Sequence, residues 1–481
     1  GAYLPGGSVT ANKVSVTSLT DLTSFSCTLG AAIGIKLNAS GEGDDDYESL
    51  IDVSVARALG LNASEVVEGR LSNSLLQAIN ETPGENPDFD ESSPELADAN
   101  SVSFELGASI SRNALDMSSK AIVEGCTVTT PGELKVTAED ISVITAVSVG
   151  AAFTNGEGVS IGAGGVFSFA PVSSTTEAAI RQKKGKDTQL DIHAGSLTLH
   201  AKDNHRERLW SFGGGYGDTA GIGLVLSWGG FAGATTQALI ENVNATIGTK
   251  ADILSSSKLD STYISVGASG SKGNAAVTGM VNYLNFNNQV ITDIKDSTLT
   301  VTAEKGIFKA LSEGTRTFTD GFGNLSVSGG KPGASVGGAL SFIYVGGNGS
   351  DDTNQTQMLV SNSFINNSGT TELLANTSDP FCHAYEYVTA GQPGHFFMLA
   401  NSSTTGLLAG ANASAKIGGS GLSFTGSFAW ISDASITRVD IHDTFFNQRN
   451  ALNDKNANIK AEATSSSNLT AGIGSLSVQI G

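Results

Sequence analysis

Thr236-Gln237-Ala238-Leu239-Ile240-Glu241-Asn242 is one copy of a short motif that returns along the chain as Thr176-Glu177-Ala178-Ala179-Ile180-Arg181-Gln182, Val290-Ile291-Thr292-Asp293-Ile294-Lys295-Asp296, Thr356-Gln357-Met358-Leu359-Val360-Ser361-Asn362 and Thr437-Arg438-Val439-Asp440-Ile441-His442-Asp443. Ser119-Lys120-Ala121-Ile122-Val123-Glu124-Gly125 reads as an earlier copy. Small and branched apolar residues alternate with polar ones at a period of two, the pattern of a strand with one buried and one wet face. Measured between Ile180, Ile240, Ile294, Val360 and Ile441, the copies lie 60, 54, 66 and 81 residues apart. Unequal spacing of one motif predicts a shared scaffold carrying loops of different length.

A glycine-rich alternating run precedes the copies. Gly162–Phe169, Gly221–Trp228, Gly333–Phe342 and Gly419–Phe428 are of this kind. A third piece is the short strand Leu134-Lys135-Val136-Thr137-Ala138, with Leu197–Ala201 and Leu299–Ala303 as further copies. Many short strands in tandem, with few prolines and no linkers, predict an all-β chain wound as a parallel β-helix, a solenoid in which each copy buries its neighbour. Tandem β-sandwich domains are the alternative. At roughly 20–25 residues per coil the expected rod is about 80–100 Å long.

One stretch departs from this pattern. Residues 42–100 hold 15 acidic and 2 basic residues, out of 47 and 27 in the 481-residue chain, whose net charge is −20. Val67, Leu71, Leu75, Leu76 and Ile79 fall on one helical face behind Ser64, a suitable N-cap. The expected organisation is therefore first β-helix coils over 1–41, an acidic helical insertion over 42–100, and the main β-helix body over 101–481. A chain this acidic repels phosphate, so no nucleic-acid partner is expected. It contains no run of 18 apolar residues, so no membrane span is expected. Neither terminal segment reads as a polar cap or a leader, and the tail Leu469–Gly481 resembles Ile141–Gly150. That predicts units, or adjoining segments of one long chain, stacked head to tail.

The glycine-rich run, the Thr-x-Ala-x-Ile strand and the Leu-x-Val-x-Ala strand together resemble the β-helical repeats of very large secreted bacterial adhesins of the filamentous-haemagglutinin and autotransporter type. The resemblance covers most of 101–481 and part of 12–36. It implies an extended, extracellular, surface-exposed stalk with no catalytic residues to carry over.

Twelve Asn-x-Ser/Thr sequons, at Asn38, Asn62, Asn80, Asn244, Asn324, Asn348, Asn354, Asn366, Asn376, Asn401, Asn412 and Asn468, read as candidate glycosylation sites. Asparagine and serine crowding the turns of a β-helix is the other reading of the same count. Of the three cysteines, Cys27 and Cys126 bracket the insertion and are read as an expected disulfide at its base, with two small buried thiols as the alternative, while Cys382 beside His383 on a strand points away from it and is a poor nucleophile pair. Asp203, His205 and Glu207 share one strand face, read either as metal ligands or, preferentially, as a solvated charged turn. Trp210, Trp228, Trp430, Phe396 and Phe397 are candidates for sugar contact or for filling coil corners. No catalytic, cofactor or metal residues are assigned and no cofactor is expected. The expected function is a non-enzymatic structural unit of a glycosylated extracellular filament. An adhesin stalk binding a host or glycan is the alternative, and a β-helical polysaccharide-degrading enzyme the third reading.

Overall fold

The computed structural model describes residues 1–35 and 102–480, apart from 156–158, 331–332, 347–354, 368, 378–381, 387–394, 419–420, 435 and 447–458. The acidic segment 42–100, with its expected helices and its sequons Asn62 and Asn80, lies outside the described residues, as do Asn38, Asn348 and Asn354. The chain on either side of that segment forms one compact unit, Gly1–Ile35 with Val102–Gly481. Among the described residues its secondary structure is all β, in 21 strands, and every strand pair is parallel.

The quoted motif sets the register. Ala121, Ala178, Ala238, Thr292, Met358 and Val439 occupy one column of successive strands, and Val123, Ile180, Ile240, Ile294, Val360 and Ile441 the next inward column. All twelve are buried. Five of the six motif copies, all but the one ending at Gln182, end at a sharp corner in the left-handed region. Gly125, Asn242, Asp296, Asn362 and Asp443 have φ of 61°, 54°, 53°, 46° and 47°. Asn and Asp tolerate that conformation because their short polar side chains bond locally. Here Asn362 Nδ2 donates to Asp296 Oδ1 at 2.7 Å, so the corners of successive circuits are tied together.

One repeat is thus one circuit of chain, not several. The long strand Leu190–Gly217 pairs with Val243–Ser271 at offsets of 53–54 residues, and Ala220–Glu241 with Ala275–Lys295 at 54–55. The expected 20–25 residues per coil falls short because each side is far longer than an ordinary strand. The stack is correspondingly shorter. One layer holds seven long strands, Val14–Ile35, 134–155, 197–217, 250–271, 307–328, 404–417 and Ile459–Ile480, with the short strand Thr370–Thr377 inserted at one end between 307–314 and 395–401. At ~4.8 Å between strands it extends about 30 Å, against the 80–100 Å expected.

A second layer returns the chain through Val102–Arg112, Val159–Arg181, Ala220–Glu241, Ala275–Lys295, Gly333–Val345 with Gln355–Ser361, and Gly421–Asp433 with Ile436–His442. A short third side, 191–194, 244–247, 298–301 and 364–367, closes each circuit beside the corner. Leu299–Val301 belongs to this third side and not to the column of Leu134 and Leu197, so that copy of the short strand is one element out of place. Where three sides meet, the enclosed residues are apolar: Val123, Val136, Ile180, Leu199, Ile240, Ile253 and Phe308 among others. Outside this half the surface carries ion pairs, such as Arg181–Glu124 at 3.1 Å and Lys295–Glu241 at 3.1 Å.

Candidate functional site

Beyond the apolar core the two layers run on toward the glycine-rich half, and what lies between them changes. First comes a group of buried ionisable side chains. Asp203, His205 and Glu207 do share one face, but it points inward and all three are buried, so they are not a solvated turn. His205 Nδ1 lies 2.8 Å from Ser142 Oγ and its Nε2 2.9 Å from Ser174 Oγ and 3.6 Å from Asp203 Oδ2. Thr236 donates to Asp203 Oδ2 at 2.8 Å. Glu207 accepts the Gly230 backbone N–H at 3.1 Å and stands beside the buried Tyr263 phenol. Burial pushes the Glu207 carboxyl up to about 7 and raises that of Asp203. Neighbouring Asp140 and Asp320 are pushed up to about 6, again by burial. Asn282 and Ser341 hold Asp320 by hydrogen bonds, whereas neither oxygen of Asp140 has a hydrogen-bond partner among the described residues.

Among the described residues no three His, Cys, Asp or Glu side chains are grouped to hold a metal. The carboxyls of Asp140, Asp203, Glu207 and Asp320 are enclosed between the layers, so they form no substrate groove. Asp140, Tyr263 and Asp320 were not singled out by sequence; they are solitary polar residues in strands of alternating pattern, and only register brings them together.

Past this group the interior is mostly hydroxyl and glycine, with Val166, Val225, Met280 and Phe322 as buried apolar residues among them. Ser227 Oγ bridges Ser211 at 2.9 Å and Ser265 at 3.1 Å; Ser211 donates to Ser168 at 3.1 Å; Ser269 meets Thr278 at 2.6 Å, Ser326 meets Ser335 at 2.9 Å and Ser414 meets Ser423 at 2.9 Å. At several glycines between these bonds the two backbones approach too closely for a side chain. A Cβ at Gly164 would lie 1.7 Å from the Gly214 carbonyl oxygen, and one at Gly215 1.9 Å from that of Ile222. Ordinary sheets pack about 10 Å apart over interdigitated side chains. Here small inward residues let the layers close, and the larger residues of the same strands face outward.

The outer faces are accordingly apolar. On the second layer, Leu106, Ala163, Ile222, Val277, Val336 and Phe424 form one column; Ile110, Phe167, Leu226, Val281, Leu340 and Phe428 form another. Between them runs a column of Ala108, Gly165, Leu224, Gly279, Gly338 and Gly426, which floors an apolar groove of about 710 Å³. Next to these is an aromatic column, Phe169, Trp228, Tyr283, Phe342 and Trp430, with Trp228 and Tyr283 ring centroids 5.0 Å apart. Arg112 shares that level. A cleft of about 550 Å³ lies there between Arg112, Phe169, Trp228, Tyr283 and Asn285. The first layer mirrors this with Trp210, Ile264, Phe212, Val266, Phe153 and Tyr216 facing out. The tryptophans therefore stand on open faces, Trp228 and Trp430 about half exposed, and do not fill corners. Phe396 and Phe397 belong to His395–Ile417, where their side chains lie outside the described residues.

The remaining candidates are dispersed. Asn244 is on the short third side, its amide donating to Asp191 at 2.9 Å. Asn324, Asn366 and Asn412 are buried, with amide nitrogens bonded to the Gly338 carbonyl at 2.5 Å, Thr300 at 3.2 Å and the Gly426 carbonyl at 3.2 Å. Asn376, Asn401 and Asn468 lie in strands whose side chains at those positions are outside the described residues. The expected Cys27–Cys126 bridge is not formed: both are free, Cys27 exposed and Cys126 buried. Cys126 pairs with Gly7, while Cys27 pairs with Val147, some twenty residues further along the ladder. Bracketing an insertion in sequence did not make them neighbours. Cys382 and His383 lie in strand Cys382–Glu386, again without described side chains.

The chain matches no protein-family model, no curated protein and no solved structure.

Proposed function

We propose that the parallel circuits wind as a β-helix and serve as a non-enzymatic structural unit of an extracellular filament or surface appendage, stacking on further copies or on adjoining segments of the same chain. The open ladder edges support this reading. Val14–Ile35 pairs with 134–155 on one side and Ile459–Ile480 with 396–417 on one side, and among the described residues neither has a second neighbour. Unpaired strand edges template further pairing. The seven-strand layer then gives an axial repeat of about 34 Å at ~4.8 Å per strand. Electron microscopy and fibre diffraction of the concentrated protein are expected to find filaments with a 4.8 Å axial spacing. Monodisperse single units at every concentration would overturn the reading.

The resemblance to the adhesin repeats points the same way and to the cell surface. A second reading, glycan binding by an adhesin stalk, is favoured by the cleft beside Arg112, where Trp228 and Tyr283 offer stacking faces and Asn285 a hydrogen-bonding amide. Its test is a glycan array compared between the wild type and Trp228→Ala.

A further inference from the structure

We infer that the glycine-rich half of this fold lies in the hydrocarbon of a lipid bilayer, entering it by its strands. The polarity of that half is the reverse of what water selects. Ser, Thr, Asn and Gly make up most of the inward face, joined by the Ser211–Ser227–Ser265 type of hydroxyl bridge and interrupted by Val166, Val225, Met280 and Phe322, while Phe25, Ile110, Leu224, Trp228, Leu340, Phe428 and Leu476 stand exposed. Monomers in water rarely expose apolar patches beyond a few hundred Å². No helix among the described residues is long and apolar enough to cross a membrane, and that search does not address strands.

The extent of the apolar surface fits a bilayer. On the second layer it runs from Ala220 to Trp228 and from Ala275 to Tyr283, and on the first from Thr262 to Gly270. Nine residues at ~3.3 Å each extend about 30 Å, the thickness of the hydrocarbon core. Charge is placed only at its two limits. At the turn end Lys272 pairs with Asp218 at 3.1 Å, and Lys272 and Asn274 are exposed. At the other limit are Arg112, the exposed Arg208 at the level of Thr262, and the Arg206–Asp260 pair at 3.2 Å. Between those limits no outward-facing described residue carries a charge. Aromatic residues gather at the same levels: Trp228, Tyr283, Tyr344, Trp430 and Trp210 toward the charged half, and the stacked Phe153–Tyr216 pair near the turns. Charged groups at headgroup depth with aromatic rings just inside them is the arrangement expected of a membrane-embedded β-structure.

A second copy of the chain would cover one layer and leave the other bare. A bilayer covers both outer faces at once, and both end at matched levels. Within hydrocarbon every backbone group must be paired. The ladders do this internally, and the outermost strands depend on the head-to-tail stacking proposed above, on which this inference rests to that extent.

The test is flotation of the full chain with phosphatidylcholine–phosphatidylglycerol vesicles. All three tryptophans of the chain, Trp210, Trp228 and Trp430, sit on the surface in question, so their emission reports insertion. The wild type is expected to float, with blue-shifted emission quenched by brominated acyl chains. Leu224→Asp and Val281→Lys should lower vesicle binding at least tenfold while retaining the β circular-dichroism spectrum in water. Gln237→Glu, outward on the charged half, should bind like the wild type. Wild type that stays in the aqueous fraction, or charged variants that float equally, would overturn the inference. So would apolar faces occupied by a second copy, seen as a dimer by sedimentation that the two charged variants dissolve. Filaments without flotation defeat the inference alone; flotation as single units defeats the stacking and leaves insertion standing.

Discussion

Asn242 shows how much one residue decides. Its φ of 54° turns the chain from the second layer into the short third side, at the level where Gly125, Asp296, Asn362 and Asp443 do the same. Asn242→Val places a β-branched residue in the left-handed region and is expected to destabilise by about 1–2 kcal/mol, while Asn242→Gly should change stability by only a few tenths. Urea unfolding of the two variants checks this; equal effects would show that the corner owes nothing to backbone conformation. Glu207 is the second such residue. Its carboxyl stands at about 7 in the folded chain against an ordinary 4.5, so the folded state holds a proton that the unfolded state has lost across that interval. Stability therefore falls as pH rises from 4.5 to 7 and levels off above, by up to about 3 kcal/mol from this group. Asp140 and Asp320, at about 6, add the same sign over a narrower range. Glu207→Gln should flatten the slope, measured by denaturant midpoints between pH 4.5 and 8. An unchanged slope would place the titration elsewhere.

At the scale of elements, the paired layers of the glycine-rich half are held at a separation that leaves no room for a side chain at inward glycines such as Gly164 and Gly215. Gly215→Val would drive its Cβ into the carbonyl oxygens of Ile222 and Gly162 and separate the hydroxyl bridges on either side. A loss of about 3 kcal/mol is expected. Gly233→Ala, where a Cβ meets nothing within 4 Å, is the control and should be nearly neutral. Calorimetry of both variants distinguishes close approach from a general loss of chain flexibility. The two halves of a circuit thus use the same alternating strands in opposite senses. Around Ile240 the large residue faces in and finds a core; around Leu224 it faces out because Gly221 and Gly223 have taken the interior.

At the scale of the molecule, every strand pair among the described residues is parallel and most join residues more than fifty positions apart, as in Ala220–Glu241 with Ala275–Lys295. Among the described residues no hairpin pairing is available to start the fold. Loop closure must precede each contact, so refolding from denaturant is expected to take seconds or longer. A complete refolding phase in milliseconds would contradict a fold built from such distant pairings.

The sequence by itself determined that the described body of the chain is β, that its strands recur, and which residues of the motif share a column. Thr236 to Asn242 and its copies stack in the register their spacing implies, because a period of two fixes which side chains share a face and the terminal Asn or Asp marks the corner. It did not determine how many circuits a repeat makes, since strand length is set by pairing partners and not by local pattern. Nor did it show which face is inside. Alternation in Gly221–Trp228 reads identically in either sense, and the choice depends on a second layer whose carbonyls leave room for glycine and nothing larger. The same holds for the ionisable cluster and for the separation of Cys27 from Cys126: residues scattered in sequence met, or failed to meet, according to the circuit they occupied. Only the tertiary structure supplied that, because distance across stacked parallel strands is independent of distance along the chain.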